Sequence, residues 1–442
     1  NIKGLPKYAW VSSVDAGHLS EGTACASFDL HAFGDMTPYI YRTTDYGKTW
    51  AALAGKDSPM RGFAHVVKED LINKDLLFAG TEFGLWISLD GGAQWAQYKG
   101  GNFPDVAVHD LVVHPRDNDL VVATHGRGIW IVDDISPLRA LTPAALASEA
   151  MFIPGRPTVQ PIGAWGGWAE GDAMFSGPNP PDDAVITYYQ KKRHIFGDLK
   201  IEIFDSSGKS MGVVPSSKRR GLSRATWSMR LKAPRVPTAA TAAFGAATGP
   251  RVLPGTYTVK ITKDISVYTA TLNVVPDPRS KHTAAGRKAQ FDLAMKLHGL
   301  LGDMTFTVDR INGVRSALAD RASKLPADDA LAKRLGVASD QADVIRKKIV
   351  ATKEGGMITG EERLREYMAD LYGSVNGYEG RPSQMQVDRT EALGMELSDV
   401  SGEFEAWAAK ELPDISAELA KKNLGTITLL AREEWEKADT PK

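Results

Sequence analysis

The sequence is nearly free of cysteine. Cys25 is the one thiol in 442 residues, so no intrachain disulfide can form. A single cysteine fits the cytoplasm and fits a bacterial periplasm or exterior equally well. No apolar run approaches the roughly 18 residues that a membrane-spanning helix needs. There is no charge bias either, with Lys and Arg totalling 53 against 54 for Asp and Glu. That balance points to neither a nucleic-acid surface nor an acidic tail. No signal peptide and no initiator Met are present, and Asn1-Ile2-Lys3-Gly4-Leu5-Pro6 leads directly into strand-like sequence. The expectation is a chain that starts within a longer protein. No phosphate loop, Gly-x-Ser-x-Gly elbow or Cys/His nucleophile pair occurs. Six of nine histidines precede residue 126, but their spacing is not that of metal ligands. No metal or cofactor is expected.

What the sequence has is a short stretch that occurs twice. Thr43-Thr44-Asp45-Tyr46-Gly47-Lys48-Thr49-Trp50 returns as Ser88-Leu89-Asp90-Gly91-Gly92-Ala93-Gln94-Trp95, with the aspartates 45 residues apart. Each copy follows an apolar or aromatic run, Tyr39-Ile40-Tyr41 in one case and Leu85-Trp86-Ile87 in the other. A worn third copy, Ile129-Trp130-Ile131-Val132-Asp133-Asp134, places Asp134 a further 44 residues on. The motif has a physical reason. A tight hairpin turn exposes backbone N–H groups that an aspartate accepts, a glycine supplies positive φ, and a Ser or Thr hydroxyl closes the other side. The tryptophan packs beside the sheet. Short strands recurring on such a period are the sign of β-propeller blades. Residues 1–135 are therefore predicted to hold about three blades. Known propellers close with about four or more blades, so further blades of the same protein are expected as the partner of this array.

Residues 136–181 lose the period and read as a Gly/Pro/Trp-rich linker, with Gly163-Ala164-Trp165-Gly166-Gly167-Trp168 and Gly177-Pro178-Asn179-Pro180-Pro181 at its centre. Alternation returns over 182–278, where the spacing predicts a small immunoglobulin-like sandwich. Within it Pro234–Gly249 is Ala/Thr/Gly/Pro-rich and reads as a mobile loop. From 279 to 442 the period becomes helical. Leu297, Leu301, Met304, Val308, Ile311, Arg315 and Leu318 form one stripe. Further helices are predicted over about 328–353, 360–374, 385–411 and 413–423. Thr359-Gly360-Glu361-Glu362 and Leu412-Pro413-Asp414 mark two of the starts.

The repeated stretch is the Asp-box, and the chain resembles the Asp-box, or BNR-repeat, propeller proteins. These include sialidases, xyloglucanase-type glycoside hydrolases and the sortilin ectodomain. Pro38–Asp45, His125–Asp134 and Pro276-Asp277-Pro278-Arg279 resemble the C-terminal half of bacterial sortilin-like proteins usually called glycosyl hydrolases. The resemblance implies an exported protein, periplasmic or extracellular, with a signal peptide upstream. It also implies that the Asp-box residues Thr43, Asp45, Gly47, Trp50, Ser88, Asp90, Gly92, Trp95 and Asp134 are structural rather than catalytic.

Strands alternate direction in a blade, so the loops between second and third strands open on the end opposite the Asp-box turns. Those loops carry Asp29, Asp35, Glu82, His125 and Arg127. They are the candidate catalytic residues, weighed against a purely structural role in which His125 and Asp29 hold adjacent loops together. A glycosidase needs two carboxylates flanking its sugar. A sialidase also needs an arginine cluster and a tyrosine nucleophile, and neither pattern is complete. Two readings stay open. The first is a ligand-binding or scaffolding module for a peptide or glycan, with a tail that docks or oligomerises. The second is a glycoside hydrolase whose main carboxylates lie in other blades.

Overall fold

Alternating apolar positions organise the first 135 residues into short antiparallel strands that form three sheets in sequence order. The first sheet is β1 (Trp10–Ala16), β2 (Ala24–Leu30), β3 (Asp35–Thr43) and β4 (Ala51–Ala54). The second is β5 (Ala64–Glu69), β6 (Leu77–Thr81), β7 (Gly84–Ser88) and β8 (Ala96–Gln97). The third has three strands, β9 (Val108–Val113), β10 (Leu120–Thr124) and β11 (Ile129–Val132). The protein is described by a computed structural model covering residues 2–162, 181–353 and 361–438. Asn1, the predicted linker centre at 163–180 and the helix start at Thr359-Gly360 lie outside the described residues.

The sheets pack on one another through two apolar clusters. Ile40, Val67, Leu77, Trp86 and Trp95 fill the space between the first and second. Val66, Phe78, Leu85, Val108, Leu111 and Val122 fill that between the second and third. Cys25 lies in the former, 1% exposed, and burial pushes its thiol up to about 12. Gly80 permits the second close approach: a Cβ there would stand 2.4 Å from the Val108 carbonyl oxygen.

Both hairpins of the repeated stretch use the same hydrogen bonds. Thr49 N–H donates to Asp45 Oδ1 at 2.8 Å, and Gly47 N–H donates to Thr43 Oγ1 at 2.9 Å. Gln94 N–H donates to Asp90 Oδ1 at 2.8 Å, and Gly92 N–H donates to Ser88 Oγ at 2.8 Å. Gly47 and Gly92 have φ of 81° and 96°. Trp95 is buried and its indole N–H donates to the Leu53 carbonyl of the first sheet. Trp50, expected to be buried likewise, is half-exposed: it packs on Phe28, Tyr39 and Tyr41 of its own sheet, whereas Trp95 is covered by the neighbouring first sheet. The third copy departs further. Asp134 has φ of 46°, donates its own N–H to Asp119 and accepts the Ser136 N–H. It opens helix α1 (Ser136–Arg139) instead of turning into a fourth strand.

The predicted linker is more structured than its composition indicates. It contributes α1, α2 (Pro143–Ala147), β12 (Ala150–Phe152) and β13 (Thr158–Gln160). These two strands join the next pair of sheets. One has the order β12, β14 (Ala184–Gln190), β17 (Gly221–Trp227). The other runs β13, β19 (Ser266–Pro276), β18 (Gly255–Lys263), β15 (Leu199–Phe204), β16 (Ser210–Val214). Ile186, Tyr188, Ile201, Trp227, Val259 and Val274 fill the space between them. Arg224 of β17 donates to the Asp133 and Asp134 carbonyls, both at 2.8 Å, tying this unit to the end of the third sheet.

The C-terminal region is helical: α3 (Ala284–Ala322), α4 (Ala330–Ile349), α5 (Leu364–Asn376), α6 (Gln384–Lys421) and α7 (Arg432–Lys437). The predicted α3 stripe is fully buried, apart from Arg315, which pairs with Asp343 of α4 at 3.0 Å. Two expectations fail here. No new helix starts at Pro413; α6 runs through it. Burial of Leu412, Ile415 and Leu419 against the other helices outweighs the backbone hydrogen bond that proline removes. Pro234–Gly249 is not a free loop either. Arg365 Nε donates to the Pro237 carbonyl, Thr241 Oγ1 donates to Glu366, and Gly245 and Gly373 let the two backbones touch. The chain is thus a mixed β and α protein, with antiparallel sheets preceding a helical region. Among the described residues no helix is long and apolar enough to cross a membrane.

Candidate functional site

At the end of the sheets opposite the Asp45 and Asp90 turns, five rings form a continuous ladder. His31 stacks on Phe63 with centroids 4.5 Å apart and planes 18° apart. Phe63 meets His65 at 4.6 Å, His65 stacks on His109 at 4.2 Å and 22°, and His109 stacks on His125 at 5.3 Å and 23°. The ladder crosses all three sheets. His65 and His109 sit near the starts of β5 and β9. His31 and His125 come from the loops after β2 and β10, and Phe63 from the segment entering β5. The His125 N–H donates to the Ala107 carbonyl at 2.9 Å, which holds its loop against β9.

Two of the candidate carboxylates are bonded to the ladder. Asp29 accepts the His31 backbone N–H at 2.7 Å and contacts His31 Nδ1 at 2.6 Å. Glu82 Oε2 lies 3.0 Å from His65 Nε2. An ionised carboxylate can only accept, so this contact places a proton on Nε2. Burial holds His65 below the ordinary histidine value, and the neighbouring His109 adds to this against the opposing pull of Glu82. Phe63 is buried, His65 is half-buried, and His31, His109 and His125 are exposed. The face is therefore a row of imidazole edges with an apolar floor.

The remaining candidates take no part in the ladder's contacts. Asp35 accepts the Thr37 N–H at 3.0 Å and the Tyr39 hydroxyl at 2.8 Å. Burial would raise its carboxyl, but these bonds and Lys56 outweigh burial and hold it below the usual value. Arg127 is exposed, and among the described residues its guanidinium makes no hydrogen bond or ion pair; its carbonyl accepts the Trp130 indole N–H at 3.0 Å. The candidate residues thus separate into Asp29, Glu82 and His125 on the ladder, and Asp35 and Arg127 off it. From sequence His31 lies in the same candidate loop as Asp29, whereas Phe63, His65 and His109 were not singled out. A signal was present: His65 and His109 are 44 residues apart, the same interval as Asp90 and Asp134. Among the described residues no cluster of His, Cys, Asp or Glu is arranged to hold a metal ion. A cavity of about 570 Å³ lies away from the ladder, between β4, its following loop and the N-terminal segment. Its walls include Tyr39, Tyr41, Lys56 and Asp57, without the ladder histidines.

No protein-family model matches the sequence, and no curated protein matches it. Solved structures with some likeness include PorZ, a surface component of the type-IX secretion system of Porphyromonas gingivalis. It is 12% identical, with 60% of this chain and 30% of that chain covered at a TM-score of 0.22. The GH74 enzyme of Niastella koreensis is also 12% identical, with 60% and 46% covered at a TM-score of 0.25. The chain spans less than half of either structure. At these scores the likenesses carry no argument about this chain.

Proposed function

We propose that the three sheets of residues 10–132 are neighbouring blades of an Asp-box propeller. On this reading the chain is an exported, sortilin-like ligand-binding or scaffolding module, and the residues 184–276 form its immunoglobulin-like sandwich. The observation that carries the binding role is the ring ladder. It runs across all three sheets and presents exposed imidazoles on the first and third, while Asp29 and Glu82 are bonded to His31 and His65. Such a surface offers stacking and hydrogen bonds to a peptide or glycan. The blade reading is supported by the contrast between equivalent strands. Val66 and Val67 of β5 are 2% and 0% exposed between two sheets, while Val11 and Val14 of β1 are 60% and 62% exposed. Ile129 and Ile131 of β11 are similarly open. Further blades of the same protein are the proposed cover for these rows.

Glycan and peptide arrays probed with the full chain test the binding role. Binding lost in a His109→Ala/His125→Ala variant that melts normally is the expected result. Equal binding by that variant refutes the ladder as the site. A hydrolase is the second reading, favoured by Asp29 and Glu82 standing on one face. It predicts release of reducing sugar that Asp29→Asn or Glu82→Gln abolishes.

A further inference from the structure

Three loops meet at one end of the sheets formed by β12 to β19. They join β14 to β15 (191–198), β16 to β17 (215–220) and β18 to β19 (264–265). The strand registers require this: Leu199 opposes Lys263, Ile201 opposes Val214, and Gln190 opposes Gly221. Hydrogen bonds then fix the loops to one another. The His194 N–H donates to the Lys218 carbonyl at 2.9 Å, and Lys218 Nζ donates to the Gly197 carbonyl at 2.7 Å. The Asp264 N–H donates to the Asp198 carbonyl at 3.3 Å. A Cβ at Gly197, whose φ is 76°, would collide with Asp264 Oδ1, so those two loops are in direct contact. Helix α3 leaves from the opposite end, after β19. The described residues that flank 163–180 are at that opposite end too.

The tips of these loops hold large apolar side chains in water. Ile195 is 66% exposed, Phe196 84% and Ile265 99%. Ile265 belongs to a two-residue hairpin turn, closed by the pair Lys263 and Ser266. Gly, Asn, Asp and Ser dominate such turns, and Asp264, with φ of 51°, fits that rule. The isoleucine beside it does not, and it contributes to no core. Single exposed apolar residues are ordinary, but a group of them on adjoining loops marks an interaction surface. The same loops are basic. Lys191, Lys192, Arg193, Lys218, Arg219 and Arg220 are all exposed. Lys191 Nζ and Lys218 Nζ donate to backbone carbonyls, and among the described residues none of the six is paired with a carboxylate. The acidic residues on and beside the loops are Asp198, Asp264 and Glu149, so positive charge is in excess.

We infer that these loop tips dock the chain on a bilayer surface rich in anionic headgroups. The apolar tips enter the boundary between headgroups and acyl chains, while the basic side chains beside them meet headgroup phosphates. Protein–protein interfaces are depleted of lysine, so the lysines around these tips favour lipid over a protein partner. The inference goes beyond the propeller reading and does not depend on the ring ladder.

Co-flotation of the full chain with lipid vesicles tests it. Vesicles of mixed phosphatidylglycerol and phosphatidylcholine are compared with vesicles of phosphatidylcholine alone. Binding to the anionic vesicles is expected to be at least about tenfold stronger and to weaken as salt is raised. Each basic side chain near an anionic bilayer strengthens binding about fivefold. Lys192→Gln/Arg193→Gln/Arg219→Gln is therefore expected to weaken it at least about tenfold. Phe196→Ser/Ile265→Ser is expected to weaken it by a similar factor. All five side chains are exposed, so both variants should melt as the unaltered chain does. Absence of flotation with the anionic vesicles overturns the inference, as does equal flotation with the neutral ones. Binding that survives either variant unchanged also overturns it. Self-association abolished by Phe196→Ser/Ile265→Ser, without flotation, assigns the tips to a contact between copies and overturns it too.

Discussion

Replacing Asp70 by alanine is predicted to be the most damaging single change to the stack of sheets. Asp70 follows β5 and is fully buried, at 0% exposure. Its two carboxylate oxygens accept from Arg139 Nε and Nη2, both at 2.8 Å. Arg139 ends α1, so the pair ties the segment leaving the third sheet to the second. Oδ2 also accepts the backbone N–H groups of Ile72 and Asn73 at 3.0 and 2.8 Å. Removing one partner of a buried ion pair costs about 3–5 kcal/mol, because the other charge stays behind unpaired. Arg139 retains its bond to Asn118 Oδ1 at 2.7 Å, and its side chain is 12% exposed. Both place the ionic part near the lower end, about 3 kcal/mol. Ile72 is exposed, so water replaces much of what the turn loses and adds at most about 1 kcal/mol. The expected total for Asp70→Ala is therefore about 3–4 kcal/mol. Asp70→Asn keeps one acceptor and is expected to cost less. In the double variant Asp70→Ala/Arg139→Met no charge is left behind, and about half the loss should return. The assay is urea unfolding followed by tryptophan fluorescence, since Trp86, Trp95 and Trp130 report on the second and third sheets. A loss below about 1 kcal/mol in Asp70→Ala, or no recovery in the double variant, refutes the reasoning.

Three more outcomes are expected. Gly80→Ala forces a Cβ to 2.4 Å from the Val108 carbonyl oxygen and should cost about 1–3 kcal/mol, whereas Gly55→Ala, with nothing within 4 Å, should be neutral in the same melt. Asp90→Ala should destabilise by about 1 kcal/mol, because an exposed turn regains water bonds. Asp45→Ala should lower the melting temperature more, since Asp45 also accepts the Thr49 hydroxyl at 2.6 Å; equal effects would show that this bond contributes nothing. Stability of the sheets should fall as pH drops below about 6.5, because burial lowers His65 from that value in the folded state. The unfolded chain then takes up the proton first, and the loss grows until the folded His65 also titrates. His65→Gln should flatten that part of the stability–pH profile, and an unchanged slope would remove His65 as its cause.

The local structure was legible wherever one residue type dictates one conformation. Asp45 and Asp90 recur at 45 residues between apolar runs, so the hairpins and their glycines could be placed without coordinates. The stripe from Leu297 to Leu318 marked α3 and its buried face for the same reason: period and burial coincide. Composition misled where packing overrides it. Pro413 signalled a break, yet flanking leucine and isoleucine side chains hold α6 through it. Pro234–Gly249 resembled a loose loop, yet Gly245 and Gly373 let it dock on α5. The residues before Gln160 read as linker, yet β12 and β13 complete two sheets.

The candidate sites belong to the tertiary structure almost entirely. The interval between His65 and His109 was visible, but its meaning depends on β5 and β9 lying side by side. His31, Phe63 and His125 join that ladder from loops whose positions follow from how one sheet packs on the next. Sequence determines which strand or helix carries a side chain, because backbone periodicity is local. Which side chains meet is decided by side-chain packing between distant segments, and no local pattern encodes that.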